Sequence, residues 1–348
     1  MKVLKNIILF GSVLLWNIAC GQKSFSEIVQ SNRGSTQTYH EFTKTFEDVD
    51  GNKSAMPIAV IKGVEDGPVI TLIAGIHGYE YPPIIAAQEL IQEIKSKTIR
   101  GTIIIIPMAN PNAFYKRTPF LNPQDELNLN RVFPGDASGS ITEKLAAFMT
   151  NEVIENSDIF IDIHGGDANE DLLPFVCYYN NPSKLDQTKQ AQELSEHSGF
   201  DYVVAYNYNI SDNEPAKYAF KQAVQDGKVA LSIECGKLGN LQQEAVDLIK
   251  AGAYNVLQTA NALSGEKPKA GDFTTIENQV YIKSEYQGIF ESDLKSGDAV
   301  EEGQVIGLIR NEFGDLITEI KATKSGIILY KIGTPPVNIG ETIVCIGF

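Results

Sequence analysis

Cysteine is scarce in this chain: four residues, Cys20, Cys177, Cys235 and Cys345, stand far apart. Such spacing excludes a disulfide framework and a Cys-x-x-Cys zinc knuckle. Arginine is also rare, with only Arg33, Arg100, Arg117, Arg131 and Arg310 among 29 basic residues. Against 44 acids the formal charge is −15. A surface this acidic lacks the basic face that phosphate binding needs, which argues against a nucleic-acid partner. Histidine occurs four times, at His40, His77, His164 and His197. With 43% hydrophobic and 21% charged residues, collagen-like, disordered and multi-span membrane classes are excluded. What remains is an ordinary globular composition over 348 residues. That is enough to bury a core without covalent staples, and long enough for two domains at roughly 100–200 residues each.

Residues 1–21 read as an export signal. Lys2 and Lys5 form a basic start, residues 7–18 an apolar run, and Ala19, Cys20 and Gly21 a small-residue processing site. The run is too short for a membrane span. Cys20 after Ala19 fits a bacterial lipoprotein site at which that cysteine carries lipid. Asn17 stands where such sites generally have an aliphatic residue, so plain cleavage near Gly21 is the competing reading, and a buried N-terminal helix of a cytosolic protein is a third. The expectation is an exported protein, periplasmic or held to a membrane of the bacterial envelope through lipidated Cys20. Its oligomeric state is not legible.

From residue 55 to 235, β-rich runs alternate with helical patterns. Residues 57–62 alternate weakly, while 69–74, 102–107, 159–163 and 229–233 are nearly unbroken apolar runs rich in β-branched side chains. Such runs suit strands covered on both faces. Helical spacing occupies 83–97, 140–156, 184–198, 216–225 and 241–263. The alternation predicts an α/β domain over residues 22–265, its mostly parallel or mixed sheet flanked by helices. After a polar Pro- and Gly-bearing stretch at 264–271, residues 266–348 read as a small all-β domain of short strands punctuated by glycines. The patterns at 295–300, 303–307 and 322–327 resemble a biotinyl/lipoyl-like barrel-sandwich domain. A carrier of that type holds its group on a lysine in the central hairpin. The hairpin expected at 311–315 has none, and Lys321 and Lys324 lie beyond it, so a structural or lid-forming role is expected.

Four segments carry chemistry, and each sits at the end of an expected strand. In AGIHGYE (74–80), His77 and Glu80 are three apart in a glycine-rich turn entering a helix. An imidazole nitrogen and a carboxylate at that spacing can converge on one divalent ion, each at ~2.0–2.2 Å as for zinc. Alone the pattern is weak and better describes a solvated surface pair. In DIFIDIHGG (158–166), His164 ends a strand and Asp162 points to the same side, where it can orient the imidazole or act as a structural cap. Strand carboxyl ends of a parallel sheet gather on one edge, the usual place for a ligand. In LSIECG (231–236), Glu234 ends an apolar strand at that edge. A carboxylate there is costly unless paired or functional; beside a metal-activated water it would be a general base. Cys235 reads as packing, and His40 and His197 as surface residues. The fourth segment joins NPNAFYKR (110–117) to NLNRVFPG (128–135) and holds Arg117 and Arg131. Both can grip carboxylates bidentately, which points to an anionic substrate unless they merely pin the loop.

Together these segments resemble the succinylglutamate desuccinylase/aspartoacylase family, relatives of the zinc carboxypeptidases, over roughly residues 55–264. The resemblance implies one zinc ion per chain on His77, Glu80 and His164, with Glu234 as the base. It implies further that Arg117 polarises the scissile carbonyl, and that Asn130 and Arg131 hold a substrate carboxylate. The family often has Asp where this chain has Asn128. The activity implied is hydrolysis of an amide bond in a small anionic N-acyl amino acid. The rival expectations are a metallocarboxypeptidase acting on peptides, such as cell-wall peptides, and a non-catalytic zinc-containing binding lipoprotein.

Overall fold

The computed structural model describes residues 24–348. The export signal expected at 1–21, Cys20 included, lies outside the described residues. The first half of the chain supplies strands β1 (Thr38–Glu47), β2 (Lys53–Lys62), β3 (Glu65–Ala74), β4 (Arg100–Ile106) and β5 (Ile159–His164). After them come β6 (Glu170–Leu172), β7 (Phe175–Asn180), β8 (Tyr202–Asn207), β9 (Val229–Glu234) and β10 (Thr274–Ile276). All but β6 form one sheet in the order β1-β2-β4-β3-β5-β9-β7-β8-β10. Its middle, β4-β3-β5-β9, is parallel; β2 joins β4 antiparallel and β7 joins β9 antiparallel. The sheet is therefore mixed.

Seven helices pack on it: α1 (Phe25–Gln30), α2 (Tyr81–Ile94), α3 (Pro111–Lys116), α4 (Ile141–Phe148), α5 (Leu185–Glu196), α6 (Ala219–Gln225) and α7 (Gln243–Thr259). The unbroken apolar runs are explained by burial on both faces. Along β4, Ile103 and Ile105 enter a core layer with Leu90 of α2, Leu194 of α5 and Ile249 of α7. Ile104 and Ile106 enter the opposite layer with Phe25 of α1, Leu145 of α4 and Ala223 of α6. Each side chain in turn meets a helix layer, which is why successive positions are apolar.

The expected helices are all present but shorter. The stretch beginning at 140 is α-helical only to Phe148 and continues as a π-turn over Met149–Ile154. Strands β1, β7 and β8 were not anticipated. The burial of β1 follows no clean alternation, because it is an edge strand bonded only to β2.

Beyond residue 276 the described chain is all strand and turn: β11 (Gln279–Lys283), β12 (Gly288–Glu291), β13 (Ala299–Val300), β14 (Val305–Arg310), β15 (Leu316–Lys321), β16 (Gly326–Ile332), β17 (Pro336–Val337) and β18 (Thr342–Gly347). They form two antiparallel sheets around their own core of Phe290, Ile306, Ile309, Ile328, Val344 and Ile346. The hairpin expected at 311–315 joins β14 to β15. This part is tied to the rest through β6, which pairs with β16, and follows directly on β10, which adds to the large sheet beside β8.

Candidate metal centre and active site

The parallel register brings the chemistry together. Strands β3, β5 and β9 are neighbours, Ala74 pairs with Ile163, and His164 pairs with Glu234. Three strand ends thus open on one edge. The chain leaves β3 through Gly75, whose φ of +68° a side chain would resist. At Gly78 a Cβ would lie 2.1 Å from the backbone nitrogen of Phe114, so only glycine lets the turn press against α3. Glu80 occupies the position preceding α2 but makes no cap hydrogen bond. Its carboxylate faces the histidines instead.

His77 Nδ1 is 2.7 Å from Glu80 Oε1, and His164 Nδ1 is 3.0 Å from Glu80 Oε2. One ligand atom from each of the three residues lies within 4.8 Å of the others, and all three side chains are buried. Behind the rings, His77 Nε2 meets Asn128 Oδ1 at 3.1 Å. His164 Nε2 is 3.1 Å from Asp162 Oδ1 and 3.4 Å from the Asn130 amide nitrogen. Asp162 is almost fully buried, and neither of its carboxylate oxygens makes an aligned hydrogen bond.

Negative charge is concentrated here. Burial opposes ionisation of Glu80, but His164 and His77 outweigh it and hold the carboxyl at about 2. Burial also disfavours charge on His77 and His164; Glu80 reverses that for His77, and Asp162 with Glu80 for His164, lifting both. Glu234 lies beside this group, its Oε1 accepting a hydrogen bond from Ser232 Oγ at 2.9 Å. Burial pushes its carboxyl up to about 7, and neighbouring Glu80 adds to the effect. Asp167 and Glu170 are raised by burial to about 6 and about 7. The buried Asp162 carboxylate beside His164 has no aligned hydrogen-bond partner on either oxygen. His77, Glu80 and His164 would hold a divalent cation: two imidazole nitrogens and one ionised carboxylate, all buried and converging, are the donor set such an ion takes.

The three ligand candidates, Asp162, Glu234, Asn130 and Arg131 all line one cleft of about 910 Å³. Asn130 Oδ1 accepts the Ala219 backbone N–H at 2.9 Å, tying the loop to the start of α6. The Arg131 guanidinium sits 4.8 Å from the centre of the Tyr218 ring. Arg117 is not among the residues lining the cleft; it ends α3 in a left-handed conformation with φ of +53° and is exposed. Cys235 is packed in the core, His40 is exposed on β1, and His197 closes α5.

A model of the succinylglutamate desuccinylase/aspartoacylase catalytic domain matches residues 66–260. The chain belongs to this family. It is 31% identical over 301 residues to the N-alpha-acetyl-L-2,4-diaminobutyric acid deacetylase of Halomonas elongata, covering 84% of this chain and 85% of that one. Among solved structures, a succinylglutamate desuccinylase from Silicibacter sp. TM1040 superposes with TM-score 0.80 at 25% identity, over 91% of this chain and 95% of the other. The product-bound ectoine utilization protein EutE (DoeB) from Ruegeria pomeroyi shares the fold with TM-score 0.79 at 24% identity, over 89% and 95%.

Several cleft residues escaped sequence reasoning. Lys221 is only 6% exposed, donates to Asn209 Oδ1 at 2.9 Å, and lies over the Tyr179 and Tyr208 rings at 5.5 and 5.6 Å. Glu170 starts β6, and Tyr281, Lys283, Tyr330 and Thr342 come from the C-terminal sheets. None carries a local motif; only the fold delivers them to this wall. Asn128 did have a signal, as the departure from the family's usual aspartate.

Proposed function

We propose that this protein is a zinc-dependent deacylase that hydrolyses the amide bond of small N-acyl amino acids. The observation that carries the reading is the placement of Glu234 in register beside His164, next to a buried His-Glu-His group at one end of a cleft. Zinc held by His77, Glu80 and His164 would supply the Lewis acidity that polarises water and the amide carbonyl. Glu234, with its carboxyl raised toward neutrality, accepts the proton of the attacking water and passes it to the leaving amine nitrogen. Arg131, its guanidinium against the Tyr218 ring, grips the substrate carboxylate, and Asn130 keeps the loop bearing it against α6. Arg117 contributes from outside the cleft at most through its charge.

The deacetylase named for the Halomonas relative supports this reaction class. The presence of a base beside the metal group favours catalysis over mere zinc-dependent binding. Export and lipid attachment at Cys20 stand as proposals on residues 1–21 alone, tested by fatty-acid labelling that Cys20→Ser abolishes. The activity is tested by amine release from N-acetyl and N-succinyl amino acids set against peptides with free carboxyl termini. The expected result is faster turnover of the N-acyl amino acids, lost on chelation and restored by zinc. Faster turnover of peptides, or rates indifferent to chelation, would overturn it.

A further inference from the structure

The two imidazoles that face Glu80 differ in what stands behind them. His164 has a carboxylate there, Asp162 Oδ1 at 3.1 Å; His77 has a neutral amide, Asn128 Oδ1 at 3.1 Å. The amide's orientation is set independently. The same Oδ1 accepts the Asn130 backbone N–H at 2.8 Å, so oxygen and not nitrogen faces the ring. An acceptor at Nε2 keeps the imidazole proton on that side and leaves the Nδ1 lone pair for a cation. A neutral acceptor draws that proton less strongly than a carboxylate does, and the ring behind which it stands is the less basic ligand.

We propose that Asn128 is a positioning residue for the metal. It fixes the tautomer of His77 and, being uncharged, sets zinc affinity below what an aspartate at the same place confers. The proposal rests on the reading of His77, Glu80 and His164 as zinc ligands. It concerns binding of the ion, and its test needs no substrate.

Zinc dissociation constants are measured by chelator competition, at one pH, for the full chain and for Asn128→Ser, Asn128→Asp and His77→Ala. Serine can still accept the Asn130 N–H, so the turn keeps its cap, but it is too short to reach His77. Asn128→Ser is expected to bind zinc about 10–100-fold more weakly. Asn128→Asp is expected to bind it about 10-fold more tightly, with melting of both metal-free variants close to that of the parent. If Asn128→Ser is too unstable to assay, Asn128→Asp decides alone. Parental affinity in Asn128→Ser, or unchanged or weaker binding in Asn128→Asp, overturns the proposal. If the parent takes up no zinc, or His77→Ala binds it undiminished, the ligand assignment itself falls and this proposal with it.

Discussion

Glu234→Gln should move stability and activity in opposite directions. Burial is the largest influence on this carboxyl and raises it from 4.5 to about 7; His164 and the Ser232 hydroxyl pull the other way without prevailing. Between those values the folded chain keeps a proton that the unfolded chain has lost. Stability therefore falls as pH rises from about 4.5 through about 7. The displacement from 4.5 to about 7 corresponds to about 3 kcal/mol near pH 8, where the group is ionised in both states. Near pH 5 the same cost is below about 1 kcal/mol. Glutamine has the same shape and no charge. The metal-free variant should resist urea better than the parent near pH 8, by about 3 kcal/mol, and differ little near pH 5. In the zinc-loaded protein the proton acceptor is gone, so kcat should drop by about 10²–10⁴-fold while zinc content stays the same. Urea unfolding with chelator at the two pH values checks the first half, and turnover with elemental analysis the second. Equal stabilisation at both pH values would refute the electrostatic account, and near-parental turnover would remove Glu234 as the base.

Three further outcomes are expected. Gly78→Ala places a Cβ 2.1 Å from Phe114 N, so the turn bearing His77 must move away from α3; a loss of about 1–3 kcal/mol and weaker zinc binding should follow, read by melting and chelator competition. Arg131→Ala should raise KM for anionic N-acyl amino acids by about 10–100-fold, whereas Arg117→Ala, at a position that does not line the cleft, should leave KM as it was; a kcat loss in the latter would restore a carbonyl-polarising role. Lys221 is buried with no carboxylate in ion-pair distance among the described residues, and Lys221→Met should raise KM for anionic substrates by about 10-fold with kcat little changed; equal KM values would show that its ammonium serves only Asn209 and the Tyr179 and Tyr208 rings.

What the sequence disclosed depended on how local the cause was. The central strands were legible because both faces of β3, β4, β5 and β9 are covered, which forces unbroken runs of Ile, Leu and Val. Strand β1 was not, since an edge strand with Lys44 and Glu47 facing out has no such constraint. His77, Glu80 and His164 stood out because glycine turns and strand ends flag them within a few residues. Asn130 and Arg131 line the cleft while Arg117 of the same segment does not, a difference that no local pattern in residues 110–135 announces. Lys221 and Tyr281 looked like ordinary helix and strand residues. Their meaning arises only when α6 and β11 converge on the same space, a consequence of pairings between residues far apart in the chain.

The hydrogen bonds between β6 and β16 give the cleft two parents. Strand-end loops carry the groups that break a bond, while the C-terminal sheets shape the room in which a molecule must sit. Relatives could exchange one guest for another by editing the second set and leaving the first alone. For the same reason, a shortened chain ending at the 264–271 connector would keep its reactive groups yet forfeit about a quarter of the residues that enclose what reaches them.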